Sequence, residues 1–323
     1  MIEEKLKNYA LKNSSKHKIK KIKMGLVGCG TMGQEIAILV AKAGIDVTFI
    51  EISEDKINNS IKSIGKTIDK IINRWGMTTG DKRAILSRIK GSINYEDLSE
   101  SSIVIESINT KKWIPNQPTR KEVFRKVEAV VSKDCILASN ASTVVIGDLS
   151  IVLKHPERAI GVHFISPTLK THIIEMNRCR NTSEETTKFT KKFAATIGKE
   201  VVEVLGSPGN ISTRIIVPMI NEACELLMEG VAEVADIDKT MKKGYGMQIG
   251  PFALADRIGL DKLIKWMEGL YNEYGDVKYK TSPLIKRMVR AGMLGKKVNE
   301  GFYLYKENGM RYTKPGSVLT LGH

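Results

Sequence analysis

The sequence predicts an α/β chain: a mostly parallel sheet with helices on both faces, then an all-α C-terminal part. Two observations predict it. Short apolar runs alternate with 3.6-period amphipathic stretches from Ile22 to Val204, the order in which strands and crossover helices build a parallel sheet. Past Gly206-Ser207-Pro208-Gly209, strand signals stop until the end of the chain and helical periodicity continues. At 323 residues the chain has room for two domains. The expected division is a basic extension over 1–20, an α/β domain over 21–206 and a helical domain over 207–323.

Taken in order, Ile22–Val27 reads as a buried strand. Met32, Ile36, Leu39 and Val40 share one helical face, and Gly44 ends that helix. Val47–Ile50 is a second strand. Ser53–Trp75 reads as a helix because Ser53 can cap it and Glu54 and Asp55 occupy its first turn. Thr79–Arg88 is a further helix. Strand-like runs recur at Ile103–Glu106, Cys135–Ser139, Ala159–Phe164, Ile173–Met176 and Val201–Val204, with helical stretches near 119–132, 145–154 and 183–197. Beyond residue 206, Ile215–Glu229, Asp236–Lys243, a helix opened by Gly250-Pro251 and followed by Gly259, Leu263–Glu273 and Pro283–Ala291 are helical.

Composition excludes several classes. Hydrophobic residues at 42% and charged residues at 27% exclude disorder and fibrous repeats. No apolar run approaches the roughly 20 residues of a spanning helix. The lysine-rich N-terminus has no apolar stretch after it and does not read as a secretory signal. Cys29, Cys135, Cys179 and Cys224 lack metal or disulfide spacing, so reduced thiols, a cytoplasmic setting and no metal are expected. The balance of 51 Lys+Arg against 36 Asp+Glu gives +15, which points to anionic partners. Residues 1–23 carry +6 of that excess as a charge run outside any motif, so neither nucleic acid nor membrane is expected as a partner.

The first strand runs into Gly28-Cys29-Gly30-Thr31-Met32-Gly33, which opens the first helix. Gly28 permits the tight turn, Gly30 lets backbone approach a pyrophosphate, and Gly33 lets helix pack on strand. The helix N-terminus then meets the phosphates with free N–H groups. Glu51 closes the second strand, where a carboxylate accepts both ribose hydroxyls and repels a 2′-phosphate. Together these features predict a Rossmann-type dinucleotide-binding domain that takes NAD.

The next block is Ser139-Asn140-Ala141-Ser142, then Gly161-Val162-His163-Phe164-Ile165-Ser166-Pro167, then Ile173-Ile174-Glu175. His163 ends one strand and Glu175 lies in the next, so a connecting loop can bring them face to face. A histidine held by a carboxylate is a general base, and Ser142 can hydrogen-bond a substrate oxygen.

These residues resemble the L-3-hydroxyacyl-CoA dehydrogenases, particularly the bacterial 3-hydroxybutyryl-CoA dehydrogenases. The likeness runs from about residue 22 to 306, carried by GCGTMG, the SNAS run, GVHF followed by SP and IIEM. It extends through VPMINEACELLMEGVAEVADIDKTMKKG, IGPFALADRIGLD and EGFYLY. The resemblance implies NAD-dependent interconversion of an L-3-hydroxyacyl-CoA and a 3-ketoacyl-CoA. It implies His163 as base, Glu175 as its support, and Ser142 and Thr213 at the substrate. It places Gly28, Gly30, Thr31, Met32, Gly33, Glu51, Glu106 and Asn140 at the cofactor. Thr67, Arg74 and Lys70 fall at the CoA, where Lys62 and Lys66 add to the attraction of a polyanion. A homodimer through the helical domain is implied as well.

Three departures set this chain apart. Ile165 and Ser166 stand where the family has Phe-Asn. At the domain junction the family reads Pro-Gly-Phe-x-x-Asn-Arg, but this chain has Pro208-Gly209-Asn210-Ile211-Ser212-Thr213-Arg214. The segment Lys111–Pro118 is longer than usual. Losing one preorganised donor costs on the order of a hundredfold in turnover, so Asn210 is a candidate to replace the missing amide. The alternatives are a same-fold dehydrogenase acting on a non-CoA hydroxy acid, or a catalytically weak NAD-binding homologue.

Overall fold

The computed structural model describes residues 21–72, 76–108, 117–306 and 311–313. The basic extension 1–20, Arg74 and residues 111–116 of the longer segment lie outside the described residues. β1 (Lys23–Val27) leads into α1 (Thr31–Lys42), and β2 (Asp46–Ile50) into α2 (Glu54–Ile72) and α3 (Thr79–Leu86). Then come β3 (Ile89–Ser92), β4 (Ile103–Glu106), α4 (Gln117–Val130), β5 (Ile136–Ser139), α5 (Ile146–Ser150) and β6 (Ala159–Phe164). β7 (Ile173–Arg178), α6 (Glu184–Thr196) and β8 (Glu200–Leu205) complete the sheet half.

These strands form one sheet in the order β3-β2-β1-β4-β5-β6-β7-β8. Every pairing is parallel except β6 with β7. Strand order reverses between β1 and β4, the switch point whose carboxyl ends receive ligands in doubly wound sheets. The strands read as unbroken apolar runs because both faces are covered. Met24, Leu26, Val47, Phe49, Ile103, Ile105, Ile136 and Ala138 point into one core layer. Their alternates Val27, Ile50, Val104 and Leu137 point into the other.

Two strand expectations need correction. No strand is expected at β3 from the sequence, because its four residues Ile-Lys-Gly-Ser carry little apolar signal; backbone pairing to β2 holds it at the sheet edge. Strand β7 also runs past Met176 to Arg178, because β8 pairs along its whole length.

The C-terminal half consists of α7 (Ser212–Met228), α8 (Val234–Gly244), α9 (Pro251–Ile258), α10 (Leu260–Tyr274) and α11 (Pro283–Arg290). A two-stranded antiparallel ladder, β9 (Tyr303–Tyr305) with β10 (Arg311–Thr313), qualifies the all-α expectation. Val217, Ile220, Phe252, Leu263, Met267 and Phe302 share its core. Gly259 adopts φ +95°, a conformation that glycine tolerates, and turns α9 into α10.

Two buried aspartates fix these pieces. Asp238 accepts the N–H groups of Phe252 and Ala253 at the start of α9. Asp256, near the end of α9, accepts from Phe302 N, Tyr303 N and Tyr305 Oη, each at 2.9 Å. Burial pushes the Asp256 carboxyl up to about 6 despite these donors. Among the described residues no helix is long and apolar enough to cross a membrane. No group of three or more His, Cys, Asp or Glu there is placed to hold a metal ion.

Candidate active site

The glycine loop lies where β1 ends. Gly28 takes φ +92°, and a Cβ there would press on the Ile108 backbone at 2.9 Å. A Cβ on Gly33 would collide with the Gly28 carbonyl oxygen, whereas one on Gly30 would meet nothing within 4 Å. The loop is therefore packed tightly behind and open in front. Gly30 precedes α1, whose first turn has no acidic residue and whose N-cap has no side-chain hydrogen bond. An uncompensated helix N-terminus facing open space suits a pyrophosphate, so these residues fit a dinucleotide. Glu51, just past β2, accepts the Cys29 N–H at 2.7 Å through Oε1, which ties its carboxylate to the loop. Cys29 itself is buried, its thiol pushed up to about 12 by burial, and is inert packing.

A cavity of about 310 Å³ opens beside the loop. Gly30, Thr31, Met32, Asn140, Ser142 and His163 line it together with residues of the α9–α10 segment. Asn140 reaches the ends of two strands, β4 and β6: its N–H donates to the Glu106 carbonyl, its Nδ2 to Ser107 Oγ at 3.2 Å, and its Oδ1 accepts the Phe164 N–H at 2.9 Å.

His163 and Glu175 are direct partners in the antiparallel register of β6 and β7. That register places both side chains on one face of the sheet, close enough to bond. The pair is 4% and 2% exposed. His163 Nδ1 lies 2.8 Å from Glu175 Oε2, and His163 Nε2 lies 3.1 Å from Ser142 Oγ. Glu175 also accepts from the backbone of Ile211 at 3.1 Å and Ser212 at 2.7 Å through Oε1, and from Ser212 Oγ at 2.8 Å through Oε2. Burial alone would raise its pKa; the bonds from His163 and Ser212 outweigh it and hold Glu175 below the usual carboxylate range. With Glu175 ionised, Nδ1 carries a proton to donate, which leaves the Nε2 lone pair aimed at the cavity.

Ser212 and the Ile211 N–H are site features with no signal in the sequence. They belong to the first turn of α7, 36 and 37 residues past Glu175, and no local spacing marks the contact. The Gly209 N–H donates to the Ser142 carbonyl at 2.8 Å, a second tie across the same junction.

Other expected residues lie elsewhere. Thr213 is fully buried, outside the cavity lining, and its Oγ1 has no hydrogen-bond partner. Adjacent helix residues point about 100° apart, so directing Ser212 at Glu175 turns Thr213 away. Asn210 does not replace the missing amide: its Oδ1 accepts from Asn177 Nδ2 at 3.0 Å, away from the cavity lining. Glu106 is 2% exposed and also outside the lining. Its carboxylate accepts from Ile108 N and Ser139 Oγ at 2.7 Å each, and pairs with Arg120. On α2, Lys62, Lys66 and Lys70 recur every fourth residue as an exposed stripe, with Thr67 half-buried, all outside the cavity lining.

Two family models match successive parts of the chain. Residues 23–207 match the family model of the 3-hydroxyacyl-CoA dehydrogenase NAD binding domain, and residues 209–305 match that of the 3-hydroxyacyl-CoA dehydrogenase C-terminal domain. A probable 3-hydroxybutyryl-CoA dehydrogenase of Deinococcus radiodurans is 36% identical over 284 residues, 88% of this chain and 100% of that protein. The 3-hydroxybutyryl-CoA dehydrogenase of Clostridioides difficile is 35% identical over 286 residues, with 88% and 100% covered. The crystal structure of (S)-3-hydroxybutyryl-CoA dehydrogenase from Ralstonia eutropha superposes with TM-score 0.78 at 37% identity, covering 88% of this chain and 99% of that one. With its glycine loop, its cavity at the switch point and both halves matched, the chain belongs to the 3-hydroxyacyl-CoA dehydrogenase family of NAD-binding enzymes.

Proposed function

We propose that this enzyme interconverts a short-chain L-3-hydroxyacyl-CoA and its 3-ketoacyl-CoA. The observation that carries the proposal is the Ser142–His163–Glu175 relay, its His163 and Glu175 buried, which opens on the same cavity as the glycine loop. NAD, when bound, supplies the hydride acceptor. In the oxidative direction His163 Nε2 takes the 3-hydroxyl proton, and Glu175 stabilises the imidazolium through Nδ1–H. Ser142 Oγ, already at Nε2, holds the 3-oxygen in line. In the reverse direction the imidazolium returns the proton to that oxygen. Glu51 receives the adenosine ribose on the oxygen not bound to Cys29, and the lysine stripe of α2 attracts the CoA phosphates.

The reading is tested by following NADH absorbance with acetoacetyl-CoA and with free acetoacetate. Turnover of the thioester alone is expected, and turnover of the free acid alone would refute it. A preference for NADPH would refute the role of Glu51. We assign the enzyme to the cytoplasm as a homodimer paired through its helical half. Exposed Ile215, Val231, Tyr245 and Val277 supply uncovered apolar side chains there. Light scattering that finds a monomer would overturn the dimer.

A further inference from the structure

The cavity that His163 lines carries a charge pattern that the proton relay does not use. The residues lining the cavity include five cationic side chains and two carboxylates. Both carboxylates are engaged within the wall. Asp256 holds the β9 backbone and Tyr305, and Asp261 pairs with Lys297 at 2.5 Å. Among the described residues Lys262 forms no ion pair. Its ammonium stands 4.9 Å from the centre of the Trp266 ring, which holds the charge in place without neutralising it. Arg257 lines the same cavity. Burial pushes the Lys262 amine down to about 8, so charge is retained there at a cost that a bound anion would offset.

We propose that Lys262, with Arg257 on the same cavity, is the counter-charge for an oxyanion of the ligand that fills this cavity. The oxyanion is a phosphate of the dinucleotide or of CoA, or a carboxylate on the acyl chain. The inference rests on the dehydrogenase reading for the ligands it names, but it concerns binding and is testable without turnover. Lys262 touches none of the relay residues. It belongs to α10, so it also ties the helical half to whatever ligand the glycine loop holds.

The test is calorimetric titration of the full-length wild type, Lys262→Met and Lys262→Arg with NADH, CoA, butyryl-CoA and succinyl-CoA. Removing the ammonium in Lys262→Met takes away a charge-assisted hydrogen bond and weakens the affected ligand by about tenfold or more, and Lys262→Arg restores most of it. Weakening of NADH alone identifies the dinucleotide phosphate. Equal weakening of CoA, butyryl-CoA and succinyl-CoA identifies the CoA phosphates. Weakening of succinyl-CoA alone identifies an acyl carboxylate and a substrate that carries one. Affinities of Lys262→Met within about twofold of wild type for all four ligands would overturn the proposal. A wild type that binds these ligands but turns over no 3-ketoacyl-CoA would instead overturn the function proposed above.

Discussion

Glu175→Gln changes one atom of the site, and the geometry dictates the consequence. The carboxylate accepts four hydrogen bonds: two backbone N–H groups on Oε1, and His163 Nδ1 and Ser212 Oγ on Oε2. A glutamine has one acceptor oxygen. If its NH2 took the Oε1 position it would oppose two backbone donors that cannot turn, at about 1–3 kcal/mol each. The NH2 therefore takes the Oε2 position. The Ser212 hydroxyl can rotate to accept from it, but His163 Nδ1 must become an acceptor as well. The imidazole proton then moves to Nε2, and the lone pair that takes the substrate proton is gone. The same tautomer error in a Ser-His-Asp relay costs about 10⁴ in kcat. We expect kcat with acetoacetyl-CoA to fall about 10³–10⁴-fold, or about 4–5.5 kcal/mol of barrier. NADH affinity, read by fluorescence, should stay unchanged because the glycine loop is untouched. A kcat loss below about tenfold would refute the argument and reduce Glu175 to a packing residue.

The same contacts support further expectations. Thr213→Val removes a buried hydroxyl that has no partner, so thermal stability should hold or rise and turnover should not fall; a large loss of turnover would return Thr213 to the site. Gly30→Ala places its Cβ in open space and Gly33→Ala places it against the Gly28 carbonyl. Both should weaken NADH binding, but only Gly33→Ala should lower the melting temperature of the cofactor-free protein. Because Glu175 is held below its ordinary 4.5, the folded state binds its proton more weakly than the unfolded chain does. Its stabilising contribution is present above about pH 4.5 and lost as pH falls through the folded value. Wild-type melting temperature should therefore drop more steeply toward acid than that of Glu175→Gln, and parallel curves would count against the bonding pattern.

The junction between the halves supplies three of the hydrogen bonds that hold Glu175. Gly209 adopts φ +84° and Asn210 φ +49°, and this turn delivers α7 with its first N–H groups aimed at Glu175. The positive end of a helix thus supports a buried carboxylate whose other oxygen meets a histidine. His163 is supported through Glu175 by the helical half, although Ser142, His163 and Glu175 all belong to the sheet half.

Much of this is legible in the chain, and the division tracks the range of the interactions. The glycine loop, Glu51 and the His163–Glu175 pair are readable because each depends on backbone within one turn or one strand pair. Glycine at 28 answers a positive φ, and adjacent antiparallel strands bring paired residues together. β3 is not readable, since pairing with β2 rather than its own side chains makes it a strand. That Ser212 and not Thr213 bonds Glu175 is not readable for a related reason: helix phase at a docked junction decides which neighbour faces Glu175, and phase is set by where α7 begins. The positive wall around Lys262 has no sequence signal because folding alone brings α9 and α10 to the cavity that His163 lines. The sequence by itself determined the fold class, the cofactor loop and the His163–Glu175 pair, all local in backbone terms. Only the tertiary structure decided what holds Glu175 and what else lines the cavity, because those contacts join residues that nothing but packing brings together.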